Sequence, residues 1–265
     1  MAVITFLTDF GTRDTYVGQM KGVAASIAPR ATLIDLTHAV PAQDVLAGAL
    51  EWDGAIDAFE AGTIHVGVID PGVGSARQPI AIQTDHFTLV CPDNGLATAV
   101  MQRSTGWRAV TLTDRTYHRG TISATFHGRD VFTPVAAHLA AGVEFEALGE
   151  PVARPQQLDL SRPSPGNGCV AGEAVLIDHF GNVITNMTEA DLRAAGLLEA
   201  VDRIRVELAG HTIRGLSRTF ADVAVGEPVA YIGSGGRLEI AVRNGDAAAT
   251  LGIARGEAVT AQSRL

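Results

Sequence analysis

The stretch that most constrains the fold spans residues 63–77 and reads TIHVGVIDPGVGSAR. Its first half is an apolar run rich in branched side chains, which is typical of a strand buried on both faces. The run breaks at Asp70, where a loop rich in glycine begins. In open α/β sheets ligands bind outside the carboxyl ends of the strands, so Asp70 is a candidate site residue, with Arg77 on the returning loop. The alternative is that Asp-Pro-Gly is only a tight turn.

The chain before this stretch alternates between strand and helix patterns. A short apolar strand at residues 3–7 leads to Asp9, a second carboxylate at a strand end. Asp14 and Asp44 each precede a helical pattern and are predicted to cap it. This β-α-β-α-β order predicts an α/β N-terminal domain, residues 1–152, with a mostly parallel sheet and right-handed crossovers.

The second half of this domain holds further predicted elements. Residues 79–84 and 87–91 are predicted to pair as a hairpin, and residues 121–125 are predicted to form a strand. A helix is predicted to begin at Thr133, which would cap it, with Pro134 in its first turn.

The pattern changes in the last third of the chain. Residues 153–168 are rich in proline and carry no hydrophobic period, which indicates a linker. Residues 169–265 consist of short strands separated by turns, and only residues 189–200 look helical. This pattern of short strands and turns predicts a smaller C-terminal β-barrel domain.

Composition excludes several function classes. The formal net charge is −9, whereas nucleic-acid binding needs a clustered basic surface. The two cysteines, Cys91 and Cys169, are too few for a cysteine-rich metal site and suit a reducing compartment. The sequence shows no basic leader and no apolar run of the ~20 residues that a membrane span needs, so we expect a cytoplasmic protein that binds no membrane.

Taken singly, the polar residues after the strands each allow two interpretations. Asp9 could hold a ribose diol or merely cap a turn. His127 could be a base or a polar residue at a helix entrance. The glycines at 72 and 74 could let backbone amides cradle an anion, although such loops are common.

Five motifs occur together and in order. They are Thr8-Asp9-Phe10-Gly11, Ile69-Asp70-Pro71-Gly72-Val73-Gly74 with Arg77, Phe126-His127-Gly128-Arg129-Asp130, Asp178-His179-Phe180-Gly181-Asn182 with Asn186, and Ser234 followed by Leu238-Glu239-Ile240-Ala241. In this combination the chain resembles the S-adenosyl-L-methionine hydrolases, or hydroxide adenosyltransferases, which are related to the fluorinase and chlorinase. The likeness covers essentially the whole chain.

The resemblance implies hydrolysis of S-adenosyl-L-methionine to adenosine and L-methionine without a metal or organic cofactor. It implies a homotrimer whose active sites lie between the N-terminal domain of one subunit and the C-terminal domain of its neighbour. It also implies a water-activating triad, which falls here on Asp70, Arg77 and His127. Two alternatives stay open. One is a halide-dependent, chlorinase-like adenosyltransferase, in which tyrosine or another residue suited to an anion pocket typically matches Asp70. The other is a non-catalytic adenosine or S-adenosyl-L-methionine sensor.

The implied reaction is chemically reasonable. Methionine leaves a sulfonium as a neutral thioether and needs no general acid, so the protein must supply an activated water placed in line with the ribose C5′. An arginine beside a carboxylate lowers its pKa, which would make Asp70 a weaker base. The proton acceptor within the triad is therefore open at this point.

The resemblance also implies substrate contacts. Asp9 would bind the ribose hydroxyls, Asp178 the methionine ammonium, Asn186 the adenine edge and Ser234 the methionine carboxylate. Three aromatic residues would form the pocket: Phe10, Phe126 and Phe180. The sequence departs from the family pattern at Ser234, because glycines flank it where relatives often carry asparagine before the serine and, in the fluorinase, arginine after it.

Overall fold

The computed structural model describes residues 2–263 and divides into two compact units after Asp159. The division falls inside the segment 153–168 that the sequence predicts as a linker. Within residues 2–263, no helix combines the length and the apolar character that crossing a membrane requires.

A six-stranded sheet forms the centre of the first unit. Its strands are β1 (Val3–Thr8), β2 (Thr32–Thr37), β3 (Ile64–Val68), β4 (Pro79–Thr84), β5 (Thr88–Pro92) and β6 (Trp107–Thr111), in the spatial order β2-β1-β3-β5-β4-β6. Strand β1 pairs in parallel with β2 and β3, and β3 pairs in parallel with β5. Strand β4 is antiparallel to both β5 and β6.

The sheet is therefore mixed, which corrects the prediction of a mostly parallel sheet. The cause is the hairpin at residues 79–92, since a short turn can join only antiparallel strands. The hairpin itself is confirmed, with Ile80 opposite Cys91 and Ile82 opposite Leu89.

Helices pack on both faces of this sheet. They are α1 (Tyr16–Ile27), α2 (Val45–Ile56), α3 (Thr98–Arg103) and α4 (Thr133–Ala140). Val66 of β3 lies in one core cluster with Met20 of α1, whereas the next residue, Gly67, lies against the ring of Trp52 from α2. Successive strand residues point to opposite faces, so α1 and α2 cover different sides of the sheet.

The helix starts match the sequence prediction only in part. Asp44 caps α2 as predicted, accepting a 3.0 Å hydrogen bond from the backbone of Ala47. At α1 the capping position is Thr15 and makes no side-chain cap, so the prediction for Asp14 is wrong. Helix α4 continues from a π-helical turn, Gly128–Phe132, so Thr133 is not its cap either.

The segment predicted as a strand at residues 121–125 is irregular instead. Its backbone is held by a side chain rather than by a neighbouring strand, since Ser123 donates its backbone N–H to Asp130 Oδ2 at 2.8 Å.

The second unit is a nearly closed antiparallel sheet, which confirms the predicted barrel in outline. Its strands are β7 (Ser164–Gly166), β8 (Cys169–Ile177), β9 (Val183–Thr188), β10 (Ile204–Leu208), β11 (His211–Arg214), β12 (Pro228–Ile232), β13 (Arg237–Val242) and β14 (Ala258–Ser263). The order is β11-β10-β14-β8-β9-β13-β12, with β7 paired to β8. Two short helices, α5 (Glu189–Ala194) and α6 (Ala247–Leu251), pack against a core that includes Val170, Val206 and Ile240.

Candidate active site

Five of the six predicted site residues of the first unit line one cavity of about 270 Å³, and the sixth, Arg77, contacts two of them. The cavity lies where β1 and β3 end, at the carboxyl edge of the parallel part of the sheet, as expected for this fold class. Its lining includes Asp9, Phe10, Asp70, Phe126 and His127.

Asp70, Arg77 and His127 form one connected set of side chains. Arg77 donates Nε to Asp70 Oδ1 at 3.0 Å, and its Nη2 contacts Asp70 Oδ2. The same Nη2 lies 3.2 Å from His127 Nδ1. The side chains of Asp70 and Arg77 are only 5% and 6% exposed. Such a two-nitrogen contact fixes the plane of the carboxylate as well as its position.

The loop between Asp70 and Arg77 folds back tightly. Ser75 donates its hydroxyl to the carbonyl of Gly72 at 2.6 Å, and its backbone N–H bonds the same carbonyl. Gly74 has a φ of +78°, and a Cβ there would stand 2.7 Å from the carbonyl oxygen of Ala124. This turn brings Arg77 back to the carboxylate seven residues earlier, where the guanidinium also lies 5.3 Å from the ring centroid of Phe132.

Burial sets the electrostatics of the cluster. Burial raises the pKa of Asp70, and the favourable contacts from Arg77 oppose this without reversing it. Arg77 lowers the pKa of Asp70 as the sequence predicts, but burial outweighs this effect and the net shift is upward. Burial lowers the pKa of His127, and the Arg77 guanidinium lowers it further.

The contact with Arg77 also determines the tautomer of His127. A guanidinium has only donors, so Nδ1 must be the acceptor of the 3.2 Å contact and carries no proton. The neutral ring that the lowered pKa favours therefore carries its proton on Nε2.

Asp9, Phe10 and Phe126 also line the cavity, and Tyr16 packs beside the two phenylalanine rings. Asp9 Oδ2 accepts a 2.8 Å hydrogen bond from the backbone of Gln43. Phe10, Phe126 and Tyr16 contact one another edge to face, with centroid separations of 5.2 to 5.9 Å.

Sequence reasoning missed two of these residues as site candidates. Tyr16 belongs to none of the five motifs, yet it is 47% exposed beside Phe10 and Phe126. Gln43 lines the cavity and has a φ of +66°, a conformation that no sequence pattern around it indicates.

Three of the four predicted residues of the second unit, Asp178, Phe180 and Ser234, lie at two turns. Asp178 organises the β8–β9 turn: its Oδ1 accepts from the backbone of Phe180 at 2.8 Å and of Asn182 at 2.9 Å. Asn182 also donates its side-chain amide to Asp178 Oδ2 at 2.8 Å, a contact the sequence analysis did not assign. The Phe180 ring is 72% exposed.

Asn186 lies away from this turn, within β9. It is buried, its Oδ1 accepts from the backbone of Glu173 at 2.9 Å, and its amide donates to Ser161 at 3.2 Å. Both ends of the amide are therefore engaged inside the unit.

Ser234 is exposed in the turn between β12 and β13. The preceding Gly233 lies directly against the carboxylate of Glu239, which leaves no room for a side chain. Tyr231 donates its hydroxyl to Glu239 Oε2 at 2.7 Å, and burial raises the pKa of Glu239. Among residues 2–263 no group of three or more His, Cys, Asp or Glu side chains could hold a metal ion.

The fold and the cluster define an enzyme with an α/β unit, a barrel-like unit and a buried carboxylate–guanidinium–imidazole set. Residues 4–149 match the family model described as the SAM hydroxide adenosyltransferase N-terminal domain. Residues 172–260 match the model of the C-terminal domain of the same family. The chain belongs to the SAM hydroxide adenosyltransferase family, which confirms the resemblance seen in the motifs.

Individual relatives agree with this assignment. The (R)-S-adenosyl-L-methionine hydrolase of Salinispora tropica is 41% identical, covering 96% of this chain and 95% of its own. The enzyme of the same name from Thermus thermophilus is 38% identical, covering 97% of this chain and 98% of its own. A fluorinase of Actinoplanes is more distant, at 29% over 90% of each chain. The crystal structure of a conserved protein from Thermotoga maritima superposes with a TM-score of 0.91. It is 34% identical, and the superposition covers 98% of this chain and 99% of that protein.

Proposed function

We propose that this protein hydrolyses S-adenosyl-L-methionine to adenosine and L-methionine. The observation that carries the proposal is the buried Asp70 carboxylate, held by two nitrogens of Arg77 beside neutral His127 at the edge of the cavity. The hydrolase names of the relatives that match nearly the whole chain support it.

The reaction is a displacement at the ribose C5′. A water oxygen forms a bond to C5′ as the C5′–S bond breaks, and the bonding pair goes to sulfur, which leaves as the neutral thioether of methionine. The water must lose one proton, so the protein needs a base and in-line placement but no general acid.

Asp70 is the proton acceptor in this proposal. Its raised pKa makes it a stronger base than a free aspartate. Two nitrogens of Arg77 and the backbone N–H of Gly72 bond the carboxylate, which leaves one of its four lone-pair positions for the water. His127 cannot take the proton on Nδ1 without losing the Arg77 contact, so its Nε2–H serves as a donor to the attacking water. Arg77 holds both partners in one geometry.

Substrate contacts follow from the same assignment. Asp9 binds the ribose hydroxyls while Phe10 and Phe126 enclose the adenosyl group. The methionine ammonium contacts Asp178, and the methionine carboxylate contacts Ser234. Phe180 forms part of the pocket wall. For Asn186, the internal hydrogen bonds of its amide favour support of the β8–β9 hairpin over contact with adenine.

We infer a cytoplasmic homotrimer in which neighbouring subunits complete each active site, with no metal or organic cofactor. Phe180, which we assign to the substrate pocket, is 72% exposed at the β8–β9 turn, so a neighbouring subunit has access to its ring. Light scattering tests the assembly, and a fully active monomer would contradict it.

Chromatography of products tests the reaction. Purified protein, freed of carried-over nucleoside, is incubated with S-adenosyl-L-methionine in the presence and absence of chloride and of a chelator. We expect adenosine and methionine in equal amounts under all conditions. Halogenated adenosine would identify a halide-dependent enzyme, which the negative charge of Asp70 disfavours. Tight binding without turnover would identify a sensor.

A further inference from the structure

Two buried side chains outside the cavity connect the ends of β1 and β2. Thr8 Oγ1 lies 2.8 Å from His38 Nδ1, and both residues are buried. Thr8 is the last residue of β1 and His38 directly follows β2, the strand that pairs with β1 in parallel. The contact therefore joins the two strands at the edge where the cavity lies.

The same pair holds the backbone of the loop that carries Asp9. Phe10 donates its backbone N–H to Thr8 Oγ1 at 3.2 Å, and Gly11 donates to the carbonyl of His38 at 2.7 Å. Asp9 lies between these anchoring points, and its carboxylate is held from the other side by the backbone of Gln43.

Two charged residues extend the contact behind His38. Nε2 of His38 lies 3.0 Å from Asp35 Oδ1, and Lys21 lies 2.6 Å from Asp35 Oδ2. One hydrogen-bond direction satisfies the contacts of Thr8. Its hydroxyl accepts from Phe10 and donates its own proton to His38 Nδ1, which leaves the imidazole proton on Nε2. Nε2 lies at ion-pair distance from Asp35 but at an angle too bent for a hydrogen bond.

We propose that Thr8 and His38 are positioning residues for substrate binding. They keep Asp9 and Phe10 in the geometry that meets the adenosyl group, and neither touches the reacting atoms. This inference rests on the proposed function, in which Asp9 binds the ribose. A loop that is already ordered loses less conformational freedom when the substrate binds, so the effect falls on substrate binding more than on the chemical step.

A second threonine–histidine pair, whose threonine also lies on β1, provides a matched control. Thr5 Oγ1 lies 2.7 Å from His65 Nδ1, and Thr5 and His65 are both fully buried. Thr8→Val and Thr5→Val each remove one hydroxyl from a buried pair on β1, and only the first releases the Asp9 loop. We expect Thr8→Val to raise KM for S-adenosyl-L-methionine roughly tenfold with a smaller change in kcat, and Thr5→Val to leave KM within about twofold.

Two substitutions at His38 separate its partners. The amide of His38→Asn reaches the position of Nδ1 and can still accept from Thr8, whereas that of His38→Gln reaches toward Asp35 instead. We expect the asparagine variant to keep a KM closer to wild type. A lower KM in His38→Gln than in His38→Asn would show that the contact with Asp35 matters more than the contact with Thr8, which would contradict the proposal.

Hydrogen exchange gives a readout that needs no turnover. In the ligand-free protein we expect the amides of Phe10 and Gly11 to exchange faster in Thr8→Val and at the wild-type rate in Thr5→Val. Equal KM shifts in the two variants, or unchanged exchange in Thr8→Val, would overturn the positioning role. If wild-type protein forms no adenosine, the proposed reaction fails instead, and the exchange comparison alone decides whether the pair holds the loop.

Discussion

Arg77 Nη2 lies 3.2 Å from Nδ1 of His127, and this contact assigns the imidazole proton to Nε2. The guanidinium thereby orients two groups at once, since it also holds Asp70 through two nitrogens. The division of roles follows: Asp70 takes a proton and His127 donates a hydrogen bond.

Asp70→Asn should lower kcat/KM by about 10²–10⁴-fold, because the amide cannot take the proton of the attacking water. Adenosine formation measures the loss. Asp93→Asn is a matched control, since Asp93 is also a partly buried carboxylate whose pKa burial raises. It hydrogen-bonds the backbone of Gln156 and interacts with Arg77 only through its charge. Activity in Asp70→Asn equal to that of Asp93→Asn would remove Asp70 from the mechanism.

Arg77→Met should raise the pKa of His127, because the guanidinium contributes to the lowered value. It should also destabilise the fold by about 3–5 kcal/mol, the usual cost of leaving a buried carboxylate without its partner. NMR titration of the imidazole and urea unfolding measure the two effects. Arg103→Met is the control, since Arg103 pairs with Asp53 and Asp57 and does not contribute to the pKa shift of His127. An unchanged His127 titration in Arg77→Met would contradict the assigned contact.

His65 should make stability depend on pH. Burial lowers its pKa from 6.5 to about 4, so the folded state disfavours the charged ring. The contribution of neutral His65 to the free energy of unfolding is fully present above pH 6.5 and is lost as the pH falls toward 4. The loss amounts to about 3 kcal/mol. Urea unfolding between pH 7.5 and 4 tests this, and His65→Gln should flatten the dependence. An equally steep loss in that variant would assign the effect to other groups.

Gly74→Ala should destabilise the protein by about 1–3 kcal/mol and lower activity, since the positive φ is strained for alanine and the added Cβ meets Ala124. Gly120→Ala is the control, because its Cβ would find no atom within 4 Å. Thermal unfolding and adenosine formation are measured on both. If Gly74→Ala behaves like Gly120→Ala, the loop between Asp70 and Arg77 tolerates a different path.

Local chemistry in the sequence was enough to predict several features. Asp9 and Asp70 were placed at strand ends because hydrophobic runs stop at them, and the β4–β5 hairpin followed from two short runs with a turn between them. The cap at Asp44 is equally local, since it involves a residue three positions away. Such features depend on side chains close together in the chain.

Tertiary structure alone decided the contacts between distant residues. The antiparallel pairing of β6 with β4 is one such contact, and no periodicity indicates that these two strands become neighbours. His127 meets Arg77 across 50 residues, and His38 meets Thr8 across 30. Asn186 matched a motif by its position, yet the fold engages its amide with Glu173 and Ser161. Sequence determined which residues stand at the ends of elements, whereas packing determined which side chains meet, because contacts between distant segments exist only once the core has formed.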